Sequence, residues 1–79
     1  MENKELSDDL KRIIAKIVEV DVASINDDTN LRDDLEIDSI AAALVMVHIE
    51  TKYKIEVNEM EATDIITMKD LIEFVSKRL

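Results

Sequence analysis

The chain has no cysteine, no glycine and no proline. The first absence excludes disulfides and thiolate metal sites, and it leaves the redox compartment unreadable from cysteine usage. The second excludes the glycine-rich loops that cradle phosphates. With proline missing as well, turns have to be made by Asn, Asp and Ser. Tryptophan is also absent and there is one Phe and one Tyr, so any core is aliphatic. Positive charge is scarce: 10 Lys and Arg stand against 19 Asp and Glu, a net charge of −9. A surface of that sign cannot neutralise a polyphosphate, which excludes nucleic acid, and anionic lipid repels it. Its natural complement is a basic protein surface. No apolar run is long enough to span a bilayer, and MENKELSDDLKR at the start lacks the basic region and apolar core of a leader. These absences predict a soluble, cytoplasmic chain without membrane insertion.

What is present is aliphatic and periodic. With 79 residues, 47% of them hydrophobic, residues 1–79 read as one small domain whose core supplies ~3–5 kcal/mol net. Leu6, Leu10, Ile13, Ile14, Ile17 and Val18 recur at helical spacing with Lys11, Arg12 and Lys16 between them, predicting a first helix over about residues 3–19. Periodicity lapses from Asp21 to Asp38. Connections that long are usually functional or disordered, and Ile25, Leu31 and Leu35 are spaced to pin this one onto a core. A second helix runs from Ser39 or Ile40 to about Tyr53, with Lys52 and Lys54 complementing its C-terminal dipole. Asn58 caps a short third helix through about Asp64. Thr67 caps a last one, in which Met68, Leu71, Ile72, Val75 and Leu79 form a stripe and Lys77 and Arg78 sit in the final turn. No alternating segment is long enough for a sheet. The expected fold is all-α, a four-helix bundle of three longer helices and a short third, with a long loop between the first two.

The second helix is apolar on two sides. Ala42, Val45, Met46, Ile49 and Tyr53 gather on one stripe; Ile40, Ala43, Leu44 and Val47 gather roughly opposite. Either both stripes are buried by neighbours, or the Ile40, Leu44, Val47 face is kept for something outside the domain. His48 lies on this helix without an orienting partner or a nucleophile nearby in sequence, and reads as an exposed helix residue.

No catalytic constellation is readable. The carboxylates are numerous enough to pair by chance and read as a solvated acidic surface. A calcium loop beginning at Asn26 fails because Leu31 stands where its tight turn needs Gly and Ile37 where it needs Glu, so no metal site is expected. Ser39 has two readings. As a cap it accepts a backbone N–H and needs no further purpose; as an acceptor it would set an attached phosphate against the helix dipole and the free N–H groups. Periodicity alone favours the cap.

Asp34-Leu35-x-x-Asp38-Ser39-Ile40 followed by a helix resembles the acyl carrier protein family. The likeness extends over Ile13-Ile14, Val18, Val20, Ile25, Leu44 to Met46, Glu50 and Ile65-x-Thr67-Met68, together with the acidity, the long first loop and the helix order. The resemblance implies a non-catalytic carrier. Ser39 would bear 4′-phosphopantetheine taken from coenzyme A by a phosphopantetheinyl transferase, and Asp38 would belong to what that transferase recognises. Acyl intermediates would be held as thioesters and presented to acyl-transferring and acyl-modifying enzymes of fatty-acid or related biosynthesis, the carrier acting as a monomer. Alternatives are a stand-alone aminoacyl or polyketide carrier, or an unmodified interaction module of the same fold. By the same resemblance, Ile40, Ala41, Leu44, Val47 and Glu50 form the docking face, and Met46, Val47, Ile49, Val57, Ala62 and Ile65 line an acyl pocket.

The chain also departs from the family. Ala41 and Leu44 replace carboxylates common two and five residues after the serine, and Thr51 and Lys52 follow Glu50 in place of further acids. Docking would then rest less on charge steering and more on apolar contact, as in a specialised carrier. Glu19 and Glu36 stand where the family commonly has Gly, so either the backbone is ordinary there or it is strained.

Overall fold

Leu6, Leu10 and Ile14 recur four residues apart, and all three are sealed from solvent at the centre of the molecule. They belong to α1, Asn3–Val18, in a computed structural model that describes residues 3–79 apart from the side chain of Glu59. A single 3₁₀ turn follows at Val22–Ser24, then α2 at Ser39–Tyr53, α3 at Glu59–Ala62 and α4 at Met68–Ser76. The helices come in the expected order, three longer and one short. Both α2 and α4 pack on α1. The core is aliphatic: α1 meets Val45 and Ile49 of α2, Met68, Leu71, Ile72 and Val75 of α4, and Ile25, Leu31 and Ile37 of the long loop.

α1 stops because Glu19 turns left-handed, with φ 57°. The N–H of Val20 then reaches back to the carbonyl of Ala15 at 3.1 Å, the closure that Gly normally permits. Glu36 (φ 55°) and Lys54 (φ 56°) take the same conformation. The strained alternative therefore holds at Glu19 and Glu36, and Lys54, which closes α2, adds a third such position. Each costs ~1–2 kcal/mol relative to ordinary backbone, a sizeable drain on a small domain.

α4 begins with a complete capping box. The Asp70 N–H donates to Thr67 Oγ1 at 3.2 Å, while the Asp70 carboxylate accepts from the N–H groups of Thr67 (3.0 Å) and Ile66 (3.1 Å). Those two N–H groups hold the Asp70 carboxyl below the usual carboxylate range. The helix ends a turn earlier than the apolar stripe suggests. Leu79 is 56% exposed and outside the core, because Arg78 folds back to donate to the Phe74 carbonyl and stacks on its ring, 3.8 Å from the centroid. The third helix is likewise shorter than expected. It gives way after Ala62 to a turn in which Thr63 Oγ1 donates to the carbonyl of Met60.

Asp9 of α1 ties down the end of α2 by accepting from the Tyr53 hydroxyl and pairing with Lys52. Desolvation pushes the Asp9 carboxyl up, but the hydrogen bonds from Lys52 and Tyr53 outweigh it and hold the group below its ordinary 3.8. Desolvation, reinforced by the Asp9 hydrogen bond, pushes Tyr53 above its ordinary 10.0. A depressed acid contributes stability above its unfolded pKa and loses it as pH falls through the folded one. A raised phenol contributes below its unfolded pKa and loses it as pH rises through the folded one. Tyr53→Phe is therefore expected to lower stability by about 1 kcal/mol at neutral pH, ~4–8 °C in melting temperature. In thermal melts across pH, the gap to wild type should shrink below 3.8 and again above 10.0; a gap independent of pH would show that the Asp9–Tyr53 contact does not carry it.

Candidate functional site

The long loop is ordered by its own polar side chains and by the start of α4. Thr29, buried although polar, accepts the Asn26 N–H on Oγ1 at 2.7 Å. Asn30 Oδ1 accepts from the N–H groups of Arg32 (3.0 Å) and Asp33 (2.8 Å), and Asp34 Oδ2 accepts from the Asn30 N–H at 2.8 Å. These are the turns that Asn and Asp make in place of Gly. The loop backbone then bonds to the α4 entry: the Leu31 N–H to the Ile66 carbonyl (2.9 Å), the Met68 N–H to the Thr29 carbonyl (3.0 Å) and the Lys69 N–H to the Asp27 carbonyl (2.8 Å). Ile25, Leu31 and Ile37 are buried, whereas Leu35, expected as a pin, is only half-buried against the core. The Ile37 N–H closes onto the Leu31 carbonyl at 3.1 Å and delivers Asp38 and Ser39 to the head of α2.

At that junction the cap is Asp38. Its carboxylate accepts the Ala41 N–H at 2.8 Å and its backbone is extended, so Ser39 becomes the first helical residue. This corrects the capping role read for Ser39 and leaves its exposed hydroxyl outside the cap. One residue's shift separates the two jobs, since a short carboxylate capping from position 38 makes the serine redundant for helix initiation.

Ser39 borders an open cleft of about 1170 Å³ between α2, the loop and the α3 segment. Met46, Val47, Val57, Ala62 and Ile65, expected on the pocket wall, all line it. Ile49 does not: it is fully buried and its side chain belongs to the core. Residues not anticipated from sequence also line the cleft, among them Arg32, Glu36, Ala42 and Thr63. The one available signal was that Arg32 is the only Lys or Arg between Lys16 and Lys52.

The two apolar stripes of α2 part company. Val45 and Ile49 are buried and Ala42, Met46 and Tyr53 half-buried, while Ile40 is 74%, Leu44 51% and Val47 56% exposed. The reading in which neighbours cover both stripes is thereby overturned, because α1 covers one side and no helix covers the other among the described residues. Ala41 is half-buried and His48 exposed. Glu50, placed on the docking face by resemblance, also works inside the domain, where one carboxylate oxygen accepts the Val57 N–H at 3.0 Å and ties the chain leading to α3. Glu61 of α3 pairs with Arg78 beyond α4. Met60 of α3 is 80% exposed, while Ala62 is half-buried and Ile65, just beyond, packs against the core.

Comparison with known proteins agrees with this architecture. The family described as "Phosphopantetheine attachment site" matches residues 8–75. The chain is 30% identical over 70 residues to polyketide-8 synthase acyl carrier protein 2 of Streptomyces avermitilis, covering 89% of this chain and 80% of that protein. It is 30% identical over 73 residues to the acyl carrier protein of Chlamydia caviae (92% and 95% covered), and 32% identical over 75 residues to that of Lactobacillus acidophilus (95% and 94%). Among solved structures, the apo doublet acyl carrier protein from prodigiosin biosynthesis superposes with a TM-score of 0.81 at 25% identity, over 99% of this chain and 38% of that longer one. The chain belongs to the acyl carrier protein family, whose members bear covalently attached 4′-phosphopantetheine. The family is one of carriers, generally non-catalytic, that meet phosphopantetheinyl transferases and acyl-processing enzymes.

The cap makes a separable prediction. Asp38→Ala should lose about 1 kcal/mol of stability, whereas Asp38→Asn, an equally good cap, should keep nearly all of it. If the Asp38 charge also addresses the transferase, Asp38→Asn will slow modification at unchanged melting temperature. Equal modification rates for the Asn variant and wild type would confine Asp38 to capping.

Proposed function

We propose that the chain, acting as one carrier domain, is modified on Ser39 and tethers acyl intermediates for enzymes of fatty-acid or related acyl biosynthesis. The observation that carries this reading is the position of Ser39: an exposed hydroxyl, free of the cap, at the edge of a large and mainly apolar cleft. The residues fit the group. Ser39 would supply the hydroxyl for the phosphodiester at the positive end of the α2 dipole, and Met46, Val47, Val57, Ala62 and Ile65 offer apolar wall to a chain folded back. When bound, the arm supplies a terminal thiol for thioester formation. Tethering raises the effective concentration of the cargo at successive enzymes without any chemistry by the domain itself. The cleft is at least as large as pockets that enclose small molecules, and each methylene it covers is worth ~0.8 kcal/mol.

The partner face supports a specialised carrier. Ile40, Leu44 and Val47 expose apolar surface beside the serine, and Glu50 spends one oxygen on Val57. Partners would meet apolar anchors more than charge. The similarity to a polyketide carrier at the same identity as to general ones accords with this. A cytoplasmic, monomeric carrier is the corresponding setting.

Mass spectrometry after incubation with coenzyme A and a transferase tests the attachment. A phosphopantetheine adduct is expected on wild type and its loss in Ser39→Ala; no adduct with several competent transferases would leave an unmodified interaction module. For the face, Leu44→Glu should leave modification intact and raise turnover by a general fatty-acid synthase several-fold. Unchanged selectivity among partner enzymes would remove the case for dedicated ones.

A further inference from the structure

The cleft beside Ser39 is edged by negative charge, from Glu36, Asp38 and Glu50, in a chain of net charge −9. A phosphodiester on Ser39 adds another anion directly beside Asp38. Against these, Arg32 is the one cation on the cleft wall among the described residues. Its place is set by the backbone: Asn30 Oδ1 holds the Arg32 N–H at 3.0 Å, and the Ile37 N–H to Leu31 carbonyl bond, at 3.1 Å, closes the loop so that Arg32 and Asp38 flank the crossing. Leu31 and Ile37, buried on either side of that bond, anchor it to the core. Among the described residues the ion pairs are Lys11–Asp27, Lys52–Asp9 and Arg78–Glu61, and none of them engages Arg32.

We propose that Arg32 is a positioning residue for the phosphodiester on Ser39, pairing with its non-bridging oxygens and holding the base of the arm at the cleft mouth. The inference rests on attachment at Ser39. A guanidinium suits this role because its planar fork meets two phosphate oxygens at once and its charge offsets the carboxylates around it. The contact is solvent-exposed, so it is modest and screened by salt.

The test uses the unmodified and modified forms of wild type, Arg32→Lys and Arg32→Gln, each verified by mass. In ¹⁵N-labelled wild type, modification should shift the Arg32 Nε–Hε resonance at low ionic strength, and about 1 M salt should return it most of the way. Modification should lower the melting temperature of Arg32→Gln by about 2–4 °C more than that of wild type, with Arg32→Lys between them. An unmoved Arg32 resonance together with the same change on modification in all three proteins would overturn the proposal. Absence of any adduct on Ser39 is a different outcome, visible in the mass spectrum, and it would remove the attachment reading and this inference together.

Discussion

The backbone hydrogen bonds between the long loop and the entry of α4 are the constraint on which the site depends. Leu31, Met68 and Lys69 donate across this junction to Ile66, Thr29 and Asp27. Without them, the connection from Asp21 to Asp38 would be an acidic tether with a few apolar anchors and no glycine or proline to shape it. With them, Thr29 is buried and satisfied, Leu31 and Ile37 are drawn into the core, and the chain arrives at α2 in one register. The Asp70 capping box supports the same junction from the α4 side, since the N–H groups of Ile66 and Thr67 bind its carboxylate. Site geometry here is thus a consequence of how two ends of secondary structure satisfy their orphan N–H and C=O groups.

The second theme is asymmetry about α2. α1 is the shared partner of α2 and α4 and covers one stripe of α2; the opposite stripe, Ile40, Leu44 and Val47, stays in water. Exposed apolar area of that kind contributes nothing to folding, and the proposed partner docking rests on it. The domain also sustains three left-handed non-glycine residues, Glu19, Glu36 and Lys54. Its stability therefore comes from close aliphatic packing, assisted by capping and by the Asp9–Tyr53 link.

Much of the fold was legible in the sequence. The spacing of Leu6, Leu10 and Ile14, and of Met68, Leu71, Ile72 and Val75, marks helices whose buried faces the structure confirms. The errors fall at ends and junctions. Leu79 continues the apolar stripe on paper, yet Arg78 finds a better arrangement over Phe74 and leaves Leu79 outside. Ser39 and Asp38 are both good caps by residue type, and only the backbone shows that the carboxylate holds the position. Ile49 is assigned to the acyl pocket by family resemblance, but it is buried in the core and lies off the cleft wall. Arg32 could be noticed as a lone cation, but its place on the cleft wall depends on the loop closing at Leu31 and Ile37.

By itself the sequence determined the helical periods, the aliphatic core, the acidity and the Asp-Ser-Ile junction at the start of a helix, because these depend on residue type and short spacing alone. Tertiary structure decided which stripe of α2 is covered, which residue caps it, and which side chains share the cleft with Ser39. Those outcomes follow from contacts between residues far apart in the chain: α1 against α2, the loop against α4, and Glu50 against Val57. Spacing says which residues share a face; only packing says what that face meets.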